Sequence, residues 1–486
     1  MLHPWKTIFN ITFDTDKSLV IQIADSIRNE IMKGRLAAGT AVPGSRVLAA
    51  DIGVNRKTVV FAYETLIAEG WLESRSKAGT FVAGNLPVVA VKKKHASSYQ
   101  SNFHFRKVPY AVLTDMPAGR NRIVFNEGAP DTRLAPLVEI SRAYRRVFQQ
   151  KGRWGLLGYG SEKGDEKLRE ALCLMLSRDR GIHLSKDNIC ITRGSQMALY
   201  LAIRILVSAR DMVVMELPGY PAVAKLFEEA GAKVLAAKVD KDGLDTDYLE
   251  KLCQRHPIKV LYTTPHHQFP TTVTMKAARR LHLLELSLKY GFAIIEDDYD
   301  HEYHFGAGNN LALASKEMAA NVIYISSLSK LIAPAVRIGY IAGPPLFMQS
   351  LINFRVHIDR QGDRIMERAL ADLLVDGTLK KHARKALSIY EARRENFDQL
   401  LRHYFGSSVS FEKPEGGLAF WIQLEKAVDW ESFIGKLLER NVQIVPPQSY
   451  YWKGKASQHV RLGYGSLNLT EVEEGIKQMA RIYLGK

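Results

Sequence analysis

The 486-residue sequence predicts an α/β protein of two parts, a small winged helix-turn-helix followed by a large domain of alternating strands and helices. Three observations carry that reading. Residues 18–36 space their apolar side chains as one face of a helix, and two short helical patterns follow around a tight turn. Residues 70–84 alternate like a hairpin. After residue 120, short apolar runs alternate with helical stretches, the pattern of a parallel sheet covered on both faces. A chain of this length is expected to hold more than one domain, and 46% hydrophobic residues are enough for a large core.

Composition excludes several classes. No apolar run is long enough to span a membrane, and the start, "MLHPWKTIFNITFD", lacks a basic-then-apolar signal pattern. Cys173, Cys190 and Cys253 lie far apart without a CxxC, so neither a disulfide framework nor a zinc cluster is expected. The expectation is a reduced, cytoplasmic protein. The net charge of +16 suits a nucleic-acid partner, but residues 1–94, with 13 Lys/Arg against 8 Asp/Glu, carry only +5 of it. Motif shape therefore has to carry the DNA argument.

In the first helix Val20, Ile23, Ala24, Ile27, Ile31 and Met32 form the apolar stripe, and Gly34 suits its end. Ser45 is placed as the cap of a second helix, with Val47, Leu48 and Ile52 facing inward. Gly53 and Val54 make the turn, and Asn55 caps a third helix. A helix in that position enters the major groove N-terminus first, and its opening turn is Arg56, Lys57 and Thr58. Those residue types grip phosphates and read base edges. Arg75 and Lys77 lie near the hairpin tip and Gly79 supplies its turn, which makes the hairpin a wing. Over this length the sequence resembles the winged helix of GntR-type bacterial regulators. The family run G-x-L-x-x-G-x-x-x-P-x-x-R-x-L-A stands here as Gly34, Leu36, Gly39, Pro43, Arg46, Leu48 and Ala49, and Gly-Thr-Phe-Val at 79–82 matches the wing. The resemblance implies DNA contacts from Arg46, the Arg56–Thr58 turn and Gly79, with Ser45 and Lys77 beside them. The expected boundaries are 1–84 for this domain, 85–120 for a linker whose Lys92–Lys94 run is solvated, and 121–486 for the second domain.

In the second domain, "SSLSKLIAPAVRIGY" sets Lys330 among hydroxyls with Arg337 seven residues on. Pyridoxal phosphate needs such a set: a lysine for its aldehyde, an acid at its pyridine nitrogen and a phosphate cradle. The strand-like "FAIIEDDYDHEY" ends in carboxylates, one of which can hold the ring nitrogen protonated, with a tyrosine two residues later for the phenolic oxygen. Ser327, Ser329 and Arg337 flank the lysine, and "ITRGSQMALYLAIRIL" reads as strand, turn and helix, presenting a helix N-terminus to an anion. Each feature alone is common; their coincidence on one α/β chain is not.

From about Asn126 onward the chain resembles fold-type I pyridoxal-phosphate enzymes of the aspartate-aminotransferase class. The motif S-x-S-K-x-x-x-P-x-x-R-x-G-Y stands as Ser327, Ser329, Lys330, Pro334, Arg337, Gly339 and Tyr340. The resemblance implies Lys330 as the Schiff-base lysine, and Ser327, Ser329, Arg337 and the Gly194-Ser195-Gln196 turn as phosphate ligands. It further implies Asp297 at the pyridine nitrogen, with Asp298 as an open rival, Tyr299 at the phenolic oxygen and Tyr220 stacked on the ring. Tyr159 matches a tyrosine that reaches a neighbouring subunit's phosphate, which implies a homodimer. Arg461 matches the arginine that holds a substrate carboxylate through two parallel bonds. Two features depart from the enzymes. "TTPHHQFPTT" replaces the usual Asn-Pro-Thr-Gly turn, with Phe269 for Asn and Thr272 for Gly, leaving His267 or Gln268 for the polar role. His301 and His304 lack the HExxH pattern, and no metal is expected.

A GntR-type winged helix joined to an aminotransferase-like domain is the arrangement of the MocR/GabR-type regulators, which the chain resembles from about Ser18 to Tyr483. That resemblance implies a head-to-tail homodimer bound to operator DNA. In it, a small amino compound is sensed by aldimine exchange at Lys330, without a need for turnover. The alternatives are a regulator of pyridoxal phosphate itself, a working aminotransferase carrying a DNA tether, and a degenerate domain that only dimerises.

Overall fold

The computed structural model describes residues 5, 9, 11, 13–86, 122–306, 311–316, 318–454 and 457–485. The chain divides into two compact units between residues 111 and 112. Of the expected linker, all but residues 85 and 86 lies outside the described residues, Lys92–Lys94 included.

The first unit contains α1 (Leu19–Met32), α2 (Ser45–Ile52), α3 (Arg56–Ala68) and the hairpin β1 (Leu72–Arg75) and β2 (Gly79–Val82). Ile23, Ala24 and Ile27 of α1 pack with Leu48 and Ala49 of α2 and Val59, Ala62 and Leu66 of α3. The predicted stripe is thus the core face of α1. Gly34 (φ +73°) and Gly53 (φ +70°) adopt the left-handed conformation that ends helices. Asn55 caps α3 by accepting a hydrogen bond from the Lys57 N–H (2.8 Å). Lys77 (φ +59°) and Gly79 (φ +114°) turn the chain between β1 and β2, which pair antiparallel from Leu72↔Val82 to Arg75↔Gly79.

Two expectations for α2 are corrected. Ser45 is its first residue; Gly44 takes the cap position and no side chain caps the helix. The Ser45 hydroxyl accepts instead from Arg56 Nε (3.4 Å), linking the starts of α2 and α3. Val47 is 53% exposed. At about 100° per residue it points away from the face shared by Leu48, Ala49 and the half-buried Ile52.

The second unit opens with β3 (Ile123–Phe125). Its main sheet is built from β4 (Ile189–Thr192), β5 (Met212–Leu217), β6 (Lys233–Asp240), β7 (Gly243–Leu244), β8 (Ile258–Thr263), β9 (Ala293–Asp298), β10 (Val322–Ser327) and β11 (Gly339–Ala342). The order is β4-β11-β10-β9-β8-β5-β6-β7. Strands β10, β9, β8, β5 and β6 are parallel neighbours. The parallel pattern read from the sequence is interrupted at β11, which runs antiparallel to both β10 and β4, and at the antiparallel edge strand β7. Residues 328–338 contain no crossover helix, so the chain returns beside β10 in the opposite direction. That return holds Lys330 and Arg337 at the C-terminal end of β10. Helices cover both faces, one through Leu199, Ala202, Phe227 and Met348, the other through Leu249, Leu283 and Leu284.

Beyond the long helix Thr378–Phe405, β12 (Val409–Ser410), β13 (Ala419–Leu424) and β15 (His459–Gly463) form a second, antiparallel sheet, while β14 (Val442–Ile444) pairs with β3. Among the described residues no helix is long and apolar enough to cross a membrane.

Candidate functional site

The C-terminal ends of parallel strands leave a crevice where their loops diverge, and such crevices are where α/β sheets bind ligands. Here a cavity of about 150 Å³ is lined by Glu127, Ser195, Tyr220, Tyr262, Phe269, Asp297, Tyr299 and Lys330. Five of these side chains were singled out from sequence: Ser195, Tyr220, Asp297, Tyr299 and Lys330. They come from four separate segments, Asp297 and Tyr299 sharing the end of β9, and meet only in the fold.

Successive residues of a strand face opposite ways, and this separates the two candidate aspartates at the end of β9. Asp297 lines the cavity and accepts a hydrogen bond from the Tyr262 hydroxyl (2.9 Å). Its other oxygen, Oδ1, is buried without a partner among the described residues. Burial pushes its pKa up to about 7. Asp298 is bound to Arg180 (2.7 Å) and accepts from the Tyr324 hydroxyl (2.6 Å). Burial alone would raise its pKa, but the Arg180 charge leaves it below the ordinary value. Oδ1 of Asp298 is likewise without a hydrogen-bond partner among the described residues, but its Oδ2 is tied to Arg180 and Tyr324 and it lies outside the lining, whereas Asp297 belongs to the cavity wall.

The Lys330 ammonium donates to the Gly128 carbonyl (2.5 Å) and lies 5.8 Å from the centre of the Tyr299 ring. Burial lowers its pKa, which favours the neutral, nucleophilic amine. The Tyr299 hydroxyl donates to the His267 carbonyl (3.0 Å). Tyr220 approaches Gln196 (3.4 Å) and packs edge-on against Phe269.

Beside the lysine lies an anion-ready surface. The helix Ser195–Leu206 begins after Gly194 with no side-chain cap, leaving its first N–H groups to a ligand. A Cβ on Gly194 would come within 3.0 Å of the Arg337 guanidinium, so the arginine rests directly on that turn. The Ser327 hydroxyl accepts from the Ser329 N–H (3.0 Å), and the Ser329 hydroxyl is buried without a partner among the described residues.

Two predicted residues lie apart from both the lining and this anion-ready surface. Arg461 is buried behind it, held by the carbonyls of Glu127 (3.1 Å) and Pro270 (2.6 Å), with its guanidinium 4.9 Å from the centre of the Phe269 ring. Tyr159 is 76% exposed and packs against Arg360 rather than facing the cavity. Neither candidate for the polar role in "HHQFP", His267 or Gln268, is among the lining residues. Gln268 is engaged by Glu216 (3.1 Å) and the Thr271 hydroxyl (2.6 Å), so Phe269 forms the wall instead. Thr272 takes φ +66°, a left-handed conformation that a β-branched residue adopts at a cost and that glycine would adopt freely.

Sequence reasoning missed Glu127. Its carboxyl lines the cavity and burial raises its pKa, opposed by the charges of Arg461 and Lys330. Nothing in "NEGAP" sets this glutamate apart from a solvated one.

In the first unit Arg46, Arg56, Lys57, Lys77 and Gly79 are exposed and Thr58 is half-buried. The start of α3 therefore presents cations to solvent.

Comparison with known proteins agrees with both halves. Residues 19–82 match the family described as bacterial regulatory proteins, gntR family. The chain is 28% identical over 473 residues to the probable rhizopine catabolism regulatory protein MocR of Rhizobium meliloti, covering 97% of this chain and 95% of that protein. It is 30% identical over 474 residues to the HTH-type transcriptional regulator YisV of Bacillus subtilis, covering 96% of each. The chain belongs to the MocR/GabR-type transcriptional regulators. In structure, this regulator is similar to the α-aminoadipate aminotransferase LysN of Thermus thermophilus, solved with N-(5′-phosphopyridoxyl)-L-leucine. The TM-score is 0.70 at 25% identity, covering 75% of this chain and 92% of LysN. A GntR-type DNA-binding domain is thus fused to an aminotransferase-like domain of fold type I.

Proposed function

We propose that this regulator binds operator DNA as a homodimer and uses pyridoxal phosphate in its aminotransferase-like domain to sense a small amino compound that exchanges with Lys330. The observation that carries the reading is the unpaired Asp297 Oδ1 in the cavity that also holds Lys330. A buried carboxylate with a free oxygen is costly alone and is satisfied by a protonated ring nitrogen. The buried Ser329 hydroxyl and the uncapped helix start after Gly194, with Arg337 against it, fit a phosphate in the same way.

When bound, the cofactor supplies an aldehyde carbon that condenses with primary amines. The chain's own residues do the rest. Lys330, its pKa lowered by burial and its nitrogen donating to the Gly128 carbonyl, would be the amine that holds the cofactor. Asp297 would hold a proton at the ring nitrogen, with Tyr299 available to the phenolic oxygen and Tyr220 to the ring. Ser327, Ser329, Arg337 and the Gly194–Gln196 turn hold the phosphate, joined by Tyr159 from the other protomer. Arg461 would anchor a ligand carboxylate. In the first domain Ser45, Arg46, Arg56, Lys57, Thr58, Lys77 and Gly79 meet the DNA.

A ligand shifts a two-state regulator only by binding one state better than the other. Footprints and DNA affinities measured with cofactor, across a series of amino acids, test the switch. Regulation by an amino compound requires at least one of them to change the footprint or the affinity. A response to cofactor alone, with no amine having any effect, would favour sensing of pyridoxal phosphate itself.

A further inference from the structure

Behind the cavity wall, three imidazoles converge: His266 and His267 from the loop after β8, and His304 from the segment after β9. One ring nitrogen from each lies within 4.8 Å of the others. The rings of His266 and His267 are 4.1 Å apart, and that of His304 is 5.5 and 6.0 Å from them. Both nitrogens of His266, Nε2 of His267 and Nδ1 of His304 are buried with no hydrogen-bond partner among the described residues. Buried polar atoms are normally paired, and a cluster of unpartnered ring nitrogens this close together calls for a shared partner.

The second layer fits a metal. His267 Nδ1 is hydrogen-bonded to Asp300 (2.8 Å), and a carboxylate there fixes the tautomer that leaves Nε2 as the donor. The His266 carbonyl accepts from Thr274 (2.9 Å), which anchors the loop. A backbone bridge from His304 to Gly416 brings the third ring in, and a side chain at Gly416 would collide with His267. His266 and His304 also line a cavity of about 560 Å³, so a three-histidine centre would keep an open position toward a small ligand.

We propose that His266, His267 and His304 bind one divalent transition-metal ion, of the zinc class by their all-imidazole character, with Asp300 orienting His267. The centre lies apart from the lining of the cofactor cavity, but the same loop carries Phe269 into that lining. The bound ion clamps the loop.

The test titrates untagged, chelator-stripped full-length protein with Zn²⁺ against a chromophoric competitor, and with Co²⁺ by visible absorption. The expected result is one ion per chain. His304→Gln and His266→Gln each lower the affinity at least about 100-fold, and Asp300→Asn lowers it about 10–100-fold. Because pyridoxal phosphate itself chelates metals, Lys330→Ala protein without cofactor serves as a control and binds the ion as the parent does. Circular dichroism confirms that each variant is folded, and His304, only half-buried, is the substitution the fold tolerates best. No saturable binding, or equimolar binding unchanged in both histidine variants, would overturn the proposal.

Discussion

The winged helix and the cavity at the end of the large sheet use charge in opposite ways. Arg46, Arg56, Lys57 and Lys77 stand in solvent, where a cation acts on a polyanion through long-range, salt-screened attraction. Lys330, Asp297, Glu127 and Arg461 are buried, where each charge depends on a specific neighbour. The difference teaches what each region tolerates. Losing one surface cation weakens binding by a fraction, whereas losing one buried partner leaves a charge stranded.

The two aspartates of β9 give the largest expected effect. Asp298→Ala removes the carboxylate paired with buried Arg180 and is expected to cost about 3–5 kcal/mol of stability in denaturant titrations. Asp297→Ala removes no such pair, so it leaves the fold intact and instead weakens pyridoxal phosphate binding, measured by absorbance. Equal destabilisation by both changes would contradict the division of roles.

The pH dependence of the cofactor-free protein comes next. Asp297 has a folded pKa of about 7 against an ordinary 3.8, so the folded state holds its proton more tightly. Its contribution to stability is therefore present below about pH 4 and lost as pH rises toward 7, a change on the order of a few kcal/mol. Unfolding free energies of the parent, referenced to Asp297→Asn, are expected to fall across that window and flatten above it. Pyridoxal phosphate should reduce the fall.

Smaller effects belong to the DNA-binding unit. Arg56→Ala is expected to cost about 1–3 kcal/mol of specific DNA binding, and Lys57→Ala to reduce the salt slope by about one, both read by fluorescence anisotropy over a salt series. Asn55→Ala removes the cap of α3 and is expected to cost about 1 kcal/mol in thermal unfolding.

Legibility followed the range of the interactions. The winged helix was readable because its elements are set by neighbours in sequence: the stripe of α1, the glycine ends and the Asn55 cap all act within a few residues. It failed where a side chain chose between two local partners, as when Ser45 bonded Arg56 instead of capping its own helix. In the second unit, the strands of the sheet centre were readable as apolar runs, but β6, half-exposed and bounded by Lys233 and Asp240, was not. The direction of β11 followed from the connection before it rather than from its own residues. The family motifs pointed to Lys330 and Arg337 but left Asp297 and Asp298 as rivals, since only the fold shows which of the two lines the cavity. Glu127 and the three histidines could not be placed, since His266 and His304 come together only through the fold.

The most direct measurement is an absorption spectrum of the purified protein with pyridoxal phosphate, beside Lys330→Ala. A visible band of lysine-bound cofactor in the parent, absent from the variant and shifted in the parent by an added amino compound, is the predicted result. A parent spectrum identical to that of free cofactor, or a band undiminished in Lys330→Ala, would contradict the role given to this lysine.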